Sequence, residues 1–303
     1  MSAPRVVLGF VLCLGGLGAC SSSSGGGGAD LSAMTAPDGA GGVVPDMAVA
    51  NPDLTVVVDL TGTADQSPLP DLSPPPPTAE ILIPTGTFLM GTNSSDPLVG
   101  LSDQKPAFMI SVPAFFLDQR EATVADYTRC VTAGKCGSPA YTEARCNLGV
   151  QGKLDHPMNC LNQIEAASYC TYMGKRLPKE EELELAMRGT QAAEYAWGSV
   201  APDAQLCWKK ADTTCPSGTY PTTLLGSRLA NGFADLAGNV AEWTSSQYLR
   251  YPDRMTAIVG GQYVLRGGSW GSQLAEQVRG AYRLPMSPTM ANPGTGVRCA
   301  RTM

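Results

Sequence analysis

The sequence predicts an α+β domain of short strands, about three helices and much irregular chain, held together by disulfides. Three observations carry this. Three short segments bear helix start and stop signals, the remainder is rich in Gly and Pro with few long periodic runs, and eight cysteines crowd into residues 80–303.

The strands come first. Glu80 to Thr92 reads as two short strands around a Thr85-Gly86 turn, and Ala107 to Val112 and Ala114 to Asp118 read as two more. The first helix runs from about Val124 to Ala133, capped by Thr123 with Asp126 three residues on and stopped by Gly134. The second runs from about Gln163 to Met173, with Asn162 and Glu165 forming a capping box and Gly174 ending it. The third runs from about Lys179 to Arg188. Pro178 opens it, Glu180 to Glu182 favour its positive end, and Gly189 stops it.

Residues 1–79 have a different composition. Arg5 and the apolar run Val6 to Leu17 are too short to span a bilayer and suit a signal-peptide core. The run ends in Leu17-Gly18-Ala19-Cys20, so residues 1–19 are expected to be a lipoprotein signal peptide and Cys20 the acylated first residue. Multiple acyl chains on Cys20 give stable membrane attachment. Ser21, in place of Asp, favours the outer membrane or cell surface over the inner membrane. Residues 20–79 read as a disordered tether. It opens with Ser and Gly, closes with four prolines at 74–77, and carries seven Asp but no Lys, Arg or aromatic residue. Such a chain cannot bury enough apolar surface to offset its entropy. Its root-mean-square span is roughly 40 Å.

Of 21 basic and 27 acidic residues, removing Arg5 and the seven tether aspartates leaves twenty of each in 80–303. A neutral domain carries no electrostatic footprint for nucleic acid. Of the ten cysteines, Cys13 leaves with the signal and Cys20 is lipidated. The remaining even set in an exported chain implies disulfides. Cys207 and Cys215 are expected to pair by proximity, whereas Cys130, Cys136, Cys146 and Cys160 allow three pairings. A zinc site is disfavoured, because no C-x-x-C occurs and His156 is the single histidine. His156 reads as a structural hydrogen-bonding residue, and no G-x-S-x-G nucleophile motif occurs.

A series of phrases then accumulates in order: Thr85-Gly86-Thr87-Phe88-Leu89-Met90-Gly91, Glu121-Ala122-Thr123, His156-Pro157-Met158-Asn159, Gly174-Lys175-Arg176-Leu177-Pro178, Gly238-Asn239-Val240-Ala241-Glu242-Trp243, Leu265-Arg266-Gly267-Gly268-Ser269-Trp270 and Gly296-Val297-Arg298-Cys299. Together they resemble the formylglycine-generating enzyme, or sulfatase-modifying factor, family over residues 80–303. The resemblance implies a C-type-lectin-related fold. It also implies an active site in which two cysteines after the Gly-Gly-Ser motif hold copper(I) and a substrate thiolate. Those positions fall on Ser272 and Gln277, which cannot replace thiolates on a soft metal, so copper is not expected. Iron chemistry of the wider family needs several histidines, and one is present. The resemblance further implies a Cys170–Cys299 bridge. It implies a calcium site with carboxylates from Asp235 and Glu242 and backbone carbonyls from Gly238 and Val240. A second calcium site would fall near Gln205 and Leu206, where the match is poor. Lys179 stands where the family has a Thr cap, at a cost of about 1 kcal/mol.

Function is then expected to be non-catalytic binding of a peptide or glycan in the family groove, lined by Ser269, Trp270, Ser272, Gln277, Arg279 and Arg283. The alternatives are a divergent enzyme in the same groove, with Glu276 paired to an Arg or Tyr, and a structural surface lipoprotein.

Overall fold

The computed structural model describes residues 79–93, 102–222 and 232–303. The expected signal peptide, Cys20 and the tether up to residue 78 lie outside the described residues; Ala79, its last residue, accepts from Gln119 N at 2.8 Å. Within them the chain is α+β, with three α-helices, eleven short strands and extensive irregular segments. No helix among the described residues is long and apolar enough to cross a membrane.

Two sheets and a ribbon frame the domain. Strands β1 (Glu80–Ile83), β4 (Phe115–Asp118) and β11 (Ala300–Thr302) form an antiparallel sheet with β4 central, so the two ends of the domain meet on one strand. β2 (Gly86–Met90) pairs antiparallel with β3 (Phe108–Val112). The first two strands thus each find another partner across Pro84-Thr85 instead of pairing together. β5 (Pro221–Thr222) and β6 (Phe233–Ala234) make a short pair. β7 (Ala241–Gln247), β8 (Tyr263–Arg266), β9 (Leu284–Met286) and β10 (Thr295–Gly296) form a sheet in the order β10-β7-β8-β9.

The helices start where their caps dictate. In α1 (Val124–Thr132) Thr123 Oγ1 accepts from Asp126 N at 3.1 Å, and Asp126 Oδ2 accepts from Thr123 N at 3.0 Å. In α2 (Gln163–Tyr172) Asn162 and Glu165 exchange the same two bonds at 2.9 Å each. In α3 (Glu180–Arg188) Lys179 supplies no cap oxygen; Glu182 Oε2 alone closes the turn by accepting from Lys179 N at 2.7 Å.

Two apolar clusters result. One packs α3 against β2, β3 and β4 through Phe88, Phe115, Leu183 and Met187. The other packs α1 and α2 against β7 and β8 through Tyr127, Tyr169, Trp243 and Leu265, with Trp243 Nε1 donating to Leu161 O at 2.7 Å. Four disulfides join the frame: Cys130–Cys136, Cys146–Cys160, Cys170–Cys299 and Cys207–Cys215. The two expected pairs are present. The four open cysteines pair as neighbours, because Cys130 lies in the last turn of α1 and the loop after the helix returns Cys136 to its side, where Cys136 N donates to Cys130 O.

Glu180 and Glu184 project from α3 into the core, not toward solvent at its positive end. Arg266 Nη2 donates to Glu180 Oε1 at 2.8 Å and to Glu184 Oε2 at 2.6 Å; Arg283 Nε donates to Glu180 Oε1 at 2.6 Å. Tyr251 OH donates to the same Glu180 oxygen at 3.0 Å, and Arg188 pairs with Glu184. Burial raises the Glu180 pKa, but the Arg266 and Arg283 charges overcome this and hold it below the usual carboxylate range.

Candidate functional site

The Gly267-Gly268 turn positions the expected ligand surface. Gly268 has φ +69°, and a Cβ there would stand 2.4 Å from Gln277 O, so only glycine lets this turn close onto the 3-10 turn Ala275–Val278. That approach gathers Ser269, Trp270, Ser272 and Gln277. Ser272 Oγ accepts from Ser269 N at 3.0 Å, and Gln277 Oε1 accepts from Gln273 N at 2.8 Å and Leu274 N at 3.1 Å. Ser272 and Gln277, which the resemblance leads one to expect at thiol positions, therefore hold backbone turns. The neighbouring disulfide loop is laced to the same turn, with Lys209 N donating to Ser272 O at 3.1 Å and Lys210 N to Trp270 O at 2.8 Å.

Of the six residues expected to line the groove, four are buried. Trp270 is 4% exposed, its Nε1 donating to Pro293 O at 2.9 Å. Ser272 and Arg279 are each 8% exposed, and Arg283 is fully buried. Arg283 is spent on Glu180, on Asp103 O at 2.8 Å, and on the faces of Tyr248 and Tyr251, so it belongs to the core. Arg279 Nε lies 3.3 Å from Glu194 Oε1, off the line of a hydrogen bond, and its Nη1 is buried without a partner. Ser269 and Gln277 stay partly exposed.

Sequence reasoning missed Arg145. Its guanidinium lies 5.8 Å from the Trp270 ring centroid, and its Nε donates to Glu143 Oε1 at 2.5 Å. Glu143 Oε2 accepts from Tyr141 OH at 2.9 Å. A polar chain thus runs from Trp270 through Arg145 and Glu143 to Tyr141, in the segment just before the Cys146–Cys160 loop. The links among Tyr141, Glu143 and Arg145 are local, but the contact that seats Arg145 on Trp270 joins distant parts of the chain, and no spacing in the sequence marks it.

The Asp235–Glu242 segment is a second centre. Asp235 (φ +54°) accepts from Gly218 N at 2.5 Å and Tyr220 N at 3.2 Å. Glu242 Oε1 accepts from Arg298 Nε at 2.7 Å, while Oε2 is buried without a hydrogen-bond partner. Gly238 is obligatory, since a Cβ there would stand 2.5 Å from Cys207 O. Glu121 joins from the start of α1. It accepts from Asn239 Nδ2 at 2.6 Å and from Val240 N at 3.1 Å. Three buried carboxylates thus share one guanidinium. Burial, strengthened by the neighbouring Asp235 charge, pushes the Glu242 carboxyl up to about 7 against the pull of Arg298. Burial together with Asp235 and Glu242 raises Glu121. Among the described residues no three His, Cys, Asp or Glu side chains converge as a metal cage. The expected calcium set needs only two carboxylates and backbone carbonyls. The orphaned Glu242 oxygen, the spare lone pairs of Asp235 and the surplus negative charge fit a hard divalent cation.

His156 is 9% exposed. Its Nδ1 lies 2.7 Å from Thr214 Oγ1 and 3.3 Å from Lys153 Nζ. Thr214 Oγ1 in turn accepts from Asn147 Nδ2 at 3.0 Å. Nδ1 facing an ammonium acts as the acceptor. His156 thereby ties the Cys146–Cys160 loop to the Cys207–Cys215 loop, a structural role.

Comparison with known proteins agrees with this architecture. The chain is 31% identical over 257 residues to the serine/threonine-protein kinase Pkn1 of Chlamydia trachomatis, covering 76% of this chain but only 39% of that protein. It is 28% identical to the inactive C-alpha-formylglycine-generating enzyme 2 of Bos taurus, covering 73% of this chain and 87% of that protein. The structure of PvdO from Pseudomonas aeruginosa superposes with a TM-score of 0.62 at 20% identity, covering 74% of this chain and 94% of that one, a likeness of fold. The profile of the sulfatase-modifying factor enzyme 1-like domain matches residues 66–303, a span that takes in all the described residues, and the chain belongs to that family.

Proposed function

We propose that this protein is a non-catalytic recognition module of the sulfatase-modifying factor family, acting at a membrane surface. One observation supports this above the rest. All eight cysteines among the described residues are bridged, and Ser272 and Gln277, at the family's thiol positions, hold turns with their side-chain oxygens. Copper(I) needs soft thiolates, and the fold as described offers it no free pair. A relative of similar length carries the word inactive in its name, so loss of chemistry has precedent in the family. Asp235, Glu242 and the carbonyls of Gly238 and Val240 would hold a structural calcium ion. Cys20 would carry the lipid anchor, with residues 20–79 as the tether and the outer membrane or cell surface as the address.

The test is direct. Purified protein loaded with copper(I) and offered a cysteine-containing peptide should consume no oxygen above the copper-only control. The same protein should bind members of a peptide or glycan array. Copper-dependent turnover of the thiol would overturn the non-catalytic reading, and silence on both arrays would favour a purely structural lipoprotein.

A further inference from the structure

Both bridged ends of the Cys207–Cys215 loop grip the middle of the cation segment. Cys207 O accepts from Asn239 N at 2.8 Å, and Cys215 N donates to Asn239 Oδ1 at 3.0 Å. Asn239 is fully buried with φ +53°, and its Nδ2 donates to Glu121 Oε2 at 2.6 Å. Gly238 rests on the same cysteine, since a Cβ there would stand 2.5 Å from Cys207 O. The residues on either side of Asn239, Gly238 and Val240, are the two that would lend carbonyls to calcium. Resting on the calcium reading above, we infer that Cys207–Cys215 is a redox site coupled to the cation. The bridged form holds the segment ready for calcium, and reduction of the bridge loosens that hold.

Geometry and access support this. The bridge fixes the Cys207 carbonyl and the Cys215 amide relative to each other, so Asn239 meets a preset pair of partners. Cutting it frees the intervening chain, and that chain must then be ordered each time Asn239 is held in its left-handed conformation. Cys215 is partly exposed, whereas Cys130, Cys136, Cys160, Cys170 and Cys299 are buried. Cys146 is also partly exposed, but its bridge lies on Tyr141 and Glu143, away from the cation segment. The thiolate of a dithiol reductant attacks Cys215 Sγ; the S–S bond breaks, and Cys207 leaves with the electron pair and takes a proton. The reductant's second thiol then attacks the reductant sulfur of the mixed disulfide and expels the Cys215 thiolate, to which Tyr220 OH, 3.8 Å from Sγ, can donate. The reductant ends as a disulfide, and the protein holds two thiols. Coupling between two sites is reciprocal, so calcium opposes reduction of the bridge by the factor with which the bridge strengthens calcium binding.

The experiment titrates calcium chloride into the purified, oxidised full chain by isothermal calorimetry, beside Cys207→Ala/Cys215→Ala and Cys146→Ala/Cys160→Ala. The first variant should bind calcium about fivefold to 150-fold more weakly, the usual range for two coupled sites. The second should stay within about twofold of wild type, as a bridge remote from the segment should. A second measurement needs no variant. Wild type is equilibrated in mixtures of reduced and oxidised dithiothreitol, without calcium and with calcium saturating both forms, and mass spectrometry after alkylation reads the fraction of Cys207–Cys215 reduced. Calcium should lower that reduction constant by the same factor. Calcium binding that ignores the loss of the bridge, together with reduction that ignores calcium, overturns the coupling and leaves the calcium reading standing. Equal weakening by loss of Cys146–Cys160 also overturns it, since the effect would then belong to the fold at large. No calcium binding by the oxidised wild type overturns the calcium reading and the coupling together.

Discussion

Replacing Glu180 with Gln should cost the domain more than any surface substitution, and the reason is charge inventory. Glu180 is 1% exposed and receives Arg266 at 2.8 Å, Arg283 at 2.6 Å and Tyr251 OH at 3.0 Å on one oxygen. In the variant Arg266 keeps Glu184, but Arg283 loses its carboxylate counter-charge and is left with neutral acceptors, the Gln amide oxygen and the Asp103 carbonyl, and two aromatic faces. An uncompensated buried charge of this kind costs about 3–5 kcal/mol, a fall in melting temperature of about 6–20 °C for a domain of this size. Calorimetry with the disulfides intact measures it. The pH dependence supplies an internal check. Because the folded pKa of Glu180 is depressed, its contribution is full above the unfolded carboxylate pKa of about 4.3 and is lost as pH falls through the folded value. The gap between wild type and Glu180→Gln should therefore narrow below about pH 4. Adding Arg283→Met to Glu180→Gln should recover part of the loss, since it removes the stranded charge. A loss under about 1 kcal/mol at neutral pH, or a gap indifferent to acid, would refute the reasoning.

Three further outcomes follow from the same structure. Removing Cys170–Cys299, which closes 129 residues, should cost about 5 kcal/mol, and removing Cys130–Cys136, which closes six, about 2 kcal/mol; denaturant titration of the two double Ala variants checks the order. His156 has its pKa lowered by burial and then by Lys153, so its contribution is complete above about pH 6.5 and lost as pH falls through the folded value. The His156 share of the slope should not exceed about 1.4 kcal/mol per pH unit, and His156→Gln should remove that share while leaving the part due to the raised Glu242 carboxyl. Calcium in hundredfold excess over its dissociation constant should stabilise the protein by about 2.7 kcal/mol; Asp235→Asn should remove most of the melting shift, and an equal shift in that variant would exclude the site.

The helices were legible because their information is local. Thr123 with Asp126 and Asn162 with Glu165 are boxes that need only one turn of chain, and both formed as read. The sheet built on β7 and β8 was not legible. Ala241–Gln247 is buried on both faces at its start, so it shows no alternation, and its partner Tyr263–Arg266 lies beyond a loop of Pro, Gly and exposed Met255. The third helix was placed correctly, but its acids were read as complements to its dipole. Glu180 and Glu184 are spaced four apart on the face of Leu183 and Met187, a spacing that marks charges facing the core once a buried arginine partner is known. That partner, Arg266, sits 82 residues from Glu184, and no local rule reaches so far.

The same distinction explains why the site was only half read. The Gly267-Gly268 turn announces where Ser269, Ser272 and Gln277 meet, because glycine is demanded there by a 2.4 Å approach to Gln277 O. It does not announce which side chains face solvent. That depends on how the long arginines are spent, and Arg283 goes inward because Glu180, its counter-charge, is itself buried. The surface left beside Trp270 is then decided by the Cys146–Cys160 bridge, which fixes the chain next to Arg145 where that side chain meets the Trp270 ring. In a scaffold with this little regular structure, covalent closure does what a long helix would do elsewhere. Recognition should accordingly be more sensitive to breaking Cys146–Cys160 than to replacing Ser272. Binding of a ligand identified on the peptide or glycan array to Cys146→Ala/Cys160→Ala and to Ser272→Ala, each compared at a temperature where both stay folded, would expose the error if Ser272→Ala proved the more damaging.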